Sequence, residues 1–459
     1  MKKLIGTKAF YKRLLALAVP IILQNMITNL VSLLDNIMVG KVGQDPMSGV
    51  AIVNQLIFVF NLLVFGALSG AGIFTAQFYG SGDDKGVRDT FRFKILLGIG
   101  IAIVTFVVLI CAGEPLIRMY LTADTGTGDL DAIFRYGKQY LTIILWEIIP
   151  FIIAQVYAST LRETGQTFVP MMAGGVAVLV NLVGNYILIF GRFGVPQMGA
   201  AGAALATVIS RVVECVIIVV WTHYKKEQNR FIIGAYRSLK VPMQIAIDIT
   251  KKGTPLLANE VLWSMGIAFV NQCFSVRDVI VLPSVNISST IANLFNVVFL
   301  AMGNTVAIMV GQQLGANEFE KAKDTSAKVI AFSVTVTILT GALMALFAGA
   351  FTSVYNVSGE VRDMAKTMIL ITACLTPLQA FLHATYFTIR SGGRTVITFL
   401  FDSGFSWCVA IPFVYCLIHF TSLPILVIFT LYYLLDAIKA TVGFILLKKG
   451  IWLQNIVVE

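Results

Sequence analysis

The segment AQFYGSGDDKGVRDT, residues 76–90, returns 235 residues later as GQQLGANEFEKAKDT, residues 311–325, with Gln, Gly, Asp and Thr at matching places. The register holds without a gap back to Pro20 and Pro255, which are followed at the same offsets by Gln24 and Asn25 and by Asn259 and Glu260. A second block repeats at a spacing of 228, LRETGQT from Leu161 and IRSGGRT from Ile389, so the seven missing residues fall in connecting loops. Self-similarity at half the chain length fixes architecture before any single residue is interpreted. Two halves, each with its own copy of a helix set, are expected of a transporter with its substrate between the halves; duplicated bundles also occur in channels.

Of the 459 residues 57% are hydrophobic and 13% charged, about half the charge of an ordinary soluble domain. The chain therefore reads as an all-α membrane protein. Apolar windows of about 20 residues, the length that crosses the hydrocarbon core, occur twelve times, near 14–39, 49–78, 91–113, 137–161, 168–190, 199–222, 254–275, 281–313, 327–350, 366–389, 395–418 and 424–447. Two repeated six-helix bundles follow, residues 1–222 and 253–459, joined by a basic linker over 223–252 that contains HYKKEQNR and Pro242 and is read as cytoplasmic, with a possible surface helix.

The net charge of +10 is explained by where the charges lie rather than by a nucleic-acid partner. With the N-terminus placed inside, 24 of the 34 Lys and Arg fall on the inner side and 8 on the outer, leaving Arg211 and Lys439 within spans. That bias predicts cytoplasmic N- and C-termini. The basic start followed by an apolar run has the flank of a signal peptide but no small-residue cleavage site, so it is read as an uncleaved first helix. Cys111, Cys215, Cys273, Cys374, Cys408 and Cys416 sit in apolar stretches without CxxC or His partners, and are expected to pack as small hydrophobes.

Polar residues inside spans carry the functional reading. Pro20 and Pro255 each remove a backbone hydrogen bond and permit a bend. Asp35 lies fifteen residues beyond Pro20, about 22 Å along the helix. It is either a helix-end group reaching headgroup water or a buried protonatable or cation-binding acid. Asn54 and Asn61 share a face in the second span; Asn286, Asn293 and Asn296 lie in the eighth, with Asn61 and Asn296 as repeat mates. Such amides serve either as interhelical glue or as a cavity lining. Trp146, Glu147 and Pro150 interrupt the fourth span, while Asn181 and Asn185 lie one turn apart on the fifth. Arg211 with Glu214, and Asp436 with Lys439, are read as structural pairs that lower each other's insertion cost. Glu260 has no basic residue three or four positions away, so it is expected to be protonated, cation-bound or facing water. His383 and Asp402 are weaker cases, with His383 read as a hydrogen-bonded packing residue.

With these motifs placed, the chain resembles the multidrug and toxic compound extrusion (MATE) family of cation-coupled antiporters over essentially its whole length. The resemblance rests on DNIMVGKVG closing the first span, GQQLGAN closing the eighth, and LRETGQT with IRSGGRT after the fourth and tenth. It implies a V-shaped pair of bundles that export amphiphilic or cationic small molecules in exchange for inward Na⁺ or H⁺, without a cofactor, in the plasma membrane. A monomer in the lipid bilayer with no nucleic-acid partner is expected. Family members are similar in placing a first-span Asp, a fifth-span Asn and Asp and a sixth-span Thr around a cation. Asp35 and Asn181 match, Asn185 stands where the second Asp is expected, and Thr207 matches approximately. One branch also uses a seventh-span Glu, matched by Glu260, and a tenth-span Asp, in whose place Gln379 or a neighbour stands. The resemblance thus points to Asp35 and Glu260 as coupling acids, with Na⁺ possible at either, and to Pro20 and Pro255 as bending points. Gln24, Asn25, Asn54, Asn61, Asn259, Asn293, Asn296 and Gln379 are candidates for lining the cavity.

Two alternatives are weighed against this. A lipid-linked sugar flippase of the same superfamily would share the bundles but call for a more cationic cavity and often two extra helices. A membrane-embedded enzyme would need paired aspartates, HExxH or a Ser/His set at helical spacing. The chain has no HExxH, no GxGD and no Walker GxxxxGK(S/T), and Asp83 and Asp84 are adjacent in a loop. The loop GSGDDKGVRD resembles the GxxxD(R/K)xG(R/K) loop of another twelve-helix transporter family, but the match fails after Lys85, where Gly86 follows at once.

Overall fold

The computed structural model describes residues 4–124, 129–355 and 357–457, and among these there is no β-strand. The helices are α1 (Lys8–Gly40), α2 (Gln44–Ser81), α3 (Asp84–Asp124), α4 (Leu130–Ile144), α5 (Ile148–Glu163), α6 (Phe168–Phe190), α7 (Ala200–Tyr224), α8 (Met243–Ser275), α9 (Val281–Gly315), α10 (Phe319–Ser353), α11 (Gly359–Ser391), α12 (Thr395–Phe399), α13 (Ile411–Phe420) and α14 (Ile425–Lys449). Among the described residues eleven segments are long and apolar enough to cross a membrane, counting α4 with α5 and α12 with α13 as one segment each. The twelfth expected span, 254–275, lies in α8. That helix is continuous over 33 residues, but Asn259, Glu260, Asn271 and Gln272 dilute its apolar character and it is not among the eleven.

Two spans are locally rewound, and proline explains both. Pro150 has no N–H to return to the preceding turn, and the 3₁₀ turn Leu145–Glu147 separates α4 from α5. Pro412 stands at the start of α13, and the turns before it, Leu400–Gly404 and Ser406–Ala410, are π-helical. Pro20 and Pro255 lie inside unbroken helices.

By compactness the chain forms two units: an N-terminal unit of Leu23–Thr75 and Asp84–Asp248, and a C-terminal unit of Met1–Ile22, Ala76–Asp83 and Ile249–Glu459. The start of α1 joins the C-terminal unit because Leu14, Leu17 and Ile21 pack in one core with Met309, Leu382 and Trp452. The end of α2 joins it through a crossing with the end of α9. A Cβ on Gly315 would lie 2.6 Å from Gln77 Cα, and one on Gly80 would lie 2.7 Å from Gln312 Cα. Ala76-x-x-x-Gly80 and Gly311-x-x-x-Gly315 are small-residue pairs one turn apart, the pattern that lets membrane helices touch backbone to backbone. The chain after α14 closes over this crossing. Gln77 donates to the carbonyls of Ser391 (2.8 Å) and Gln454 (3.3 Å) and accepts from Ile456 N–H (2.8 Å). Asn455 donates to Gly315 O (3.0 Å).

In the N-terminal unit the linker is anchored. Phe231 and Ala235 are buried, and Arg92 donates to the carbonyls of Gly234 (2.8 Å) and Ala235 (2.9 Å). The last ten residues of the expected linker, 243–252, are already the first turns of α8. Among the cysteines only Cys273 packs as expected; Cys111, Cys374, Cys408 and Cys416 are exposed and Cys215 is half-buried. In an apolar solvent a small hydrophobe gains little by being inside.

Candidate functional site

In the N-terminal unit the helical spacing of Asn181 and Asn185 puts both amides on the buried side of α6. Asn185 Nδ2 donates to Asp35 Oδ1 on α1 (2.5 Å). With its nitrogen turned to the carboxylate, Asn181 donates to Asp35 at 2.9 and 3.2 Å while its oxygen accepts from Thr207 Oγ1 of α7 at 3.2 Å. Asn185 Oδ1 is buried without a hydrogen-bond partner. A buried acceptor left open beside a carboxylate marks room for a donor or a cation. Among the described residues no three His, Cys, Asp or Glu side chains converge as metal ligands. One carboxylate with two amides and a hydroxyl matches a single positive charge rather than a divalent cage.

Further polar groups join this nest. Tyr140 of α4 is buried, bonds Asn54 Oδ1 (3.2 Å) and also meets Thr207. Arg211 pairs with Glu214 at 2.8 Å, as expected, and its charge also acts on Glu147 and Asp35. Lys94 is completely buried and pairs with Glu163, with Ser159 and Thr160 hydroxyls each at 3.2 Å. Arg162 bridges the two groups through its fields on Glu163 and Glu214. With every carboxylate ionised, this connected set of Asp35, Glu147, Glu163 and Glu214 against Lys94, Arg162 and Arg211 lacks one positive charge.

The C-terminal unit holds a counterpart. Asn259 of α8 donates to Asp402 Oδ2 (3.0 Å) and accepts from both Ser403 N–H (3.2 Å) and Ser403 Oγ (2.7 Å). Lys439 of α14 pairs with Asp402 at 2.5 Å. The widened turn Leu400–Gly404 is what carries Asp402 and Ser403 to Asn259. Glu260 is half-buried and feels the charges of Arg390 and Asp402. Gln379 donates to Asp436. Here Glu260, Asp402 and Asp436 face Arg390 and Lys439, again one cation short.

Four readings change. Lys439 pairs across helices with Asp402, not with Asp436, because the π turn brings Asp402 within reach. Lys94 and Arg390, counted on the inner flank, are buried at 0% and 7% exposure inside α3 and α11. Glu260 is not without a basic neighbour, since Arg390 comes from another helix. His383 is half-buried and packs on Phe299 and Phe387 by ring contact rather than by a hydrogen bond. Of the other candidates, Gln24 faces Gly174, Asn61 is half-buried with an unpartnered oxygen, Asn25 and Asn296 are half-buried and Asn293 is exposed. Tyr140 and Ser403 went unnoticed, as single hydroxyls carry no pattern. Arg390 was legible as the repeat mate of Arg162, 228 residues on.

A family profile described as MatE matches residues 20–187 and 255–416, one stretch in each half. The chain belongs to the MatE family. The MatE match covers both repeats and excludes an enzyme reading, since the family is one of membrane transporters. Its relatives include the probable multidrug resistance protein YoeA of Bacillus subtilis, 24% identical over 89% of this chain and 87% of that one. The probable multidrug resistance protein NorM of Thermotoga maritima is 23% identical over 90% and 87%. Among solved structures, an outward-facing multidrug resistance MATE family transporter of the MOP superfamily superposes with a TM-score of 0.86 at 19% identity, over 98% of both chains. The Vibrio cholerae MATE transporter VcmN gives 0.85 at 17%, also over 98% of both. The MatE protein described here is thus a multi-pass membrane transporter.

Proposed function

We propose that this MatE protein is a secondary antiporter of the plasma membrane, exporting amphiphilic or cationic compounds in exchange for Na⁺ or H⁺ by alternating access. The observation that carries the reading is the Asp35 carboxylate set among the Asn181 and Asn185 amides, with the open Asn185 Oδ1 beside it. A half-buried carboxylate set in amides with an acceptor left open gains by taking up one monovalent cation. At Asp35 the Asn181 amide nitrogen faces the carboxylate while its oxygen accepts from Thr207 Oγ1 (3.2 Å). Glu260 is the second coupling acid, beside the Asp402–Lys439 pair. Pro20 and Pro255 give α1 and α8 the freedom to bend when these charges change. Coupling requires cation and drug to favour opposite states of one equilibrium.

Purified protein in vesicles, loaded with a fluorescent lipophilic cation, tests this under separate Na⁺ and pH gradients. Efflux is expected to follow one gradient in the wild type and to lose that dependence in Asp35→Asn or Glu260→Gln. Dye that ignores both gradients, with both variants matching wild type, would sink the antiporter reading and leave lipid-linked substrates to be tried.

A further inference from the structure

The connection between α7 and α8 is built against the N-terminal unit rather than looped out from it. Phe231, Ile232 and Ala235 are buried. Asn229, buried too, donates to the carbonyls of Thr222 (3.4 Å) and Lys225 (3.1 Å) and accepts from Gln166 Nε2 (2.9 Å). Arg92 holds the carbonyls of Gly234 and Ala235. Tyr236 bonds the Tyr157 hydroxyl, and its ring stacks on His223 with centroids 5.9 Å apart. These anchors set depth as well as position. The apolar run of α3 opens at Phe91, and that of α7 closes at Thr222. Residues 229–237 are therefore held at the level where two apolar runs end, which is the headgroup layer of a bilayer.

What the anchored segment leaves exposed is of two kinds. Tyr224, Ile233 and Tyr236 are 78%, 48% and 53% exposed. Lys225, Lys226, Arg237 and Lys240 are exposed among them, and within the described residues none of the four makes an ion pair. Arg230 reaches Asp84 at 3.7 Å. Glu227 is the one acid from 224 to 243, against five basic residues. The connection between α9 and α10 differs: it exposes Ala316, Asn317 and Glu318, with no large apolar side chain among them. Against water alone, exposed apolar groups gain nothing and unpaired like charges repel one another. Against an anionic leaflet both become favourable, since the apolar groups enter the headgroup layer and the cations meet phosphates. We propose that residues 224–240 form a docking surface for anionic lipid headgroups, with Tyr224, Ile233 and Tyr236 inserted and Lys225, Lys226, Arg237 and Lys240 on the phosphates. The charge of the segment and its pinned depth favour a lipid surface over a protein partner.

The test uses the full chain in lipid nanodiscs, whose two leaflets share one composition, so the result does not depend on which way the protein faces. In a background lacking the six native cysteines, Ile233→Cys carries an environment-sensitive fluorophore. Part of the lipid bears a quencher at headgroup depth, and phosphatidylcholine is replaced stepwise by phosphatidylglycerol. Quenching is expected to rise with the anionic fraction and to fall with added salt, which shortens the reach of the charges. Lys225→Gln/Lys226→Gln is expected to lower the ratio of docked to free segment about 25-fold, at about fivefold per charge. Arg237→Gln/Lys240→Gln is expected to act by a similar factor. All four side chains are exposed, so the fold stands without their charges. The same fluorophore on Ala316→Cys is expected to be indifferent to lipid charge. Quenching at 233 that ignores phosphatidylglycerol, a ratio within about twofold of the parent in both double variants, or an equal response at 316 overturns the proposal. Shielding of the probe that appears only in discs holding two chains also overturns it, and makes a second copy of this chain the occupant.

Discussion

The exchange cycle proposed above requires some tight contact in the state described here to open, and the crossing of α2 and α9 is one place where backbone meets backbone. Gly315→Ala places a methyl 2.6 Å from Gln77 Cα, and Gly80→Ala places one 2.7 Å from Gln312 Cα. These neighbours are main chain, so no side chain can swing aside. The Gln77 carbonyl lies nearer still to that methyl than Cα does, so the helix ends must part by more than the ~0.8 Å that would bring Cα alone to an ordinary contact, since packed interiors hold no spare volume. Overpacking of this kind costs about 1–3 kcal/mol. The same separation strains the bonds from Gln77 to Ser391, Gln454 and Ile456. Converted to populations, 1–3 kcal/mol shifts the balance between this state and one with the crossing open by roughly 5–150-fold. Spin labels at the exposed positions Ser81 and Ala316, in a background lacking the six native cysteines, would read the distance between the helix ends. Gly315→Ala is expected to move the population to the longer distance and to lower the thermal midpoint. A distance distribution and midpoint unchanged from the parent would refute the reasoning.

Other changes probe the buried charges one at a time. Lys94→Met takes the ion-pair partner from Glu163 and is expected to destabilise by about 3–5 kcal/mol, while Lys94→Met/Glu163→Gln recovers much of it; thermal unfolding in detergent separates the two. Gly72→Ala acts more mildly on the same pair. Its methyl meets the Glu163 carboxyl, 3.1 Å from Cδ, and the side chain can rotate away, so a loss of about 1 kcal/mol is expected in the same assay. Removing residues 454–459 takes away two of the three hydrogen bonds to Gln77. It is expected to raise amide exchange at the ends of α2 and α9 while leaving α6 and α7 unchanged.

What the sequence made legible was whatever depends on period and repetition. Apolar windows locate the helices because membrane spans must satisfy their own backbone, and the paired motifs order them. Asn181 and Asn185 could be placed on one face for the same reason. What it hid were partners that cross between helices. Lys439 has Asp436 three residues away, and the helical neighbour rule favours that pair. The π turn before Pro412 instead delivers Asp402 from another helix, and no local spacing announces it. Lys94 and Arg390 were misplaced because a charge near the end of an apolar window reads as flank, although each finds enough polar partners to stay inside.

The two halves also exchange a carboxylate, and this explains why neither site looks like a copy of the other. Asp402 lies between Asn259 and Lys439. Stepping back by the repeat spacings, its mate is Gly174, that of Asn259 is Gln24, and that of Lys439 is Arg211. Gly174 faces Gln24, with Nε2 3.5 Å from where a Cβ would stand, and the vacated volume is approached by Glu214 Oε1 at 3.9 Å. In the N-terminal unit the acid near this place comes instead from α7, as Glu214 three residues from Arg211, so Arg211 has a carboxylate partner as Lys439 does. Arg162 and Arg390, also mates, each act on an acid near this core, Glu214 in one unit and Glu260 in the other. The positions diverge, while each unit keeps a carboxylate beside an amide and a basic side chain from the same pair of repeat positions, Arg211 and Lys439.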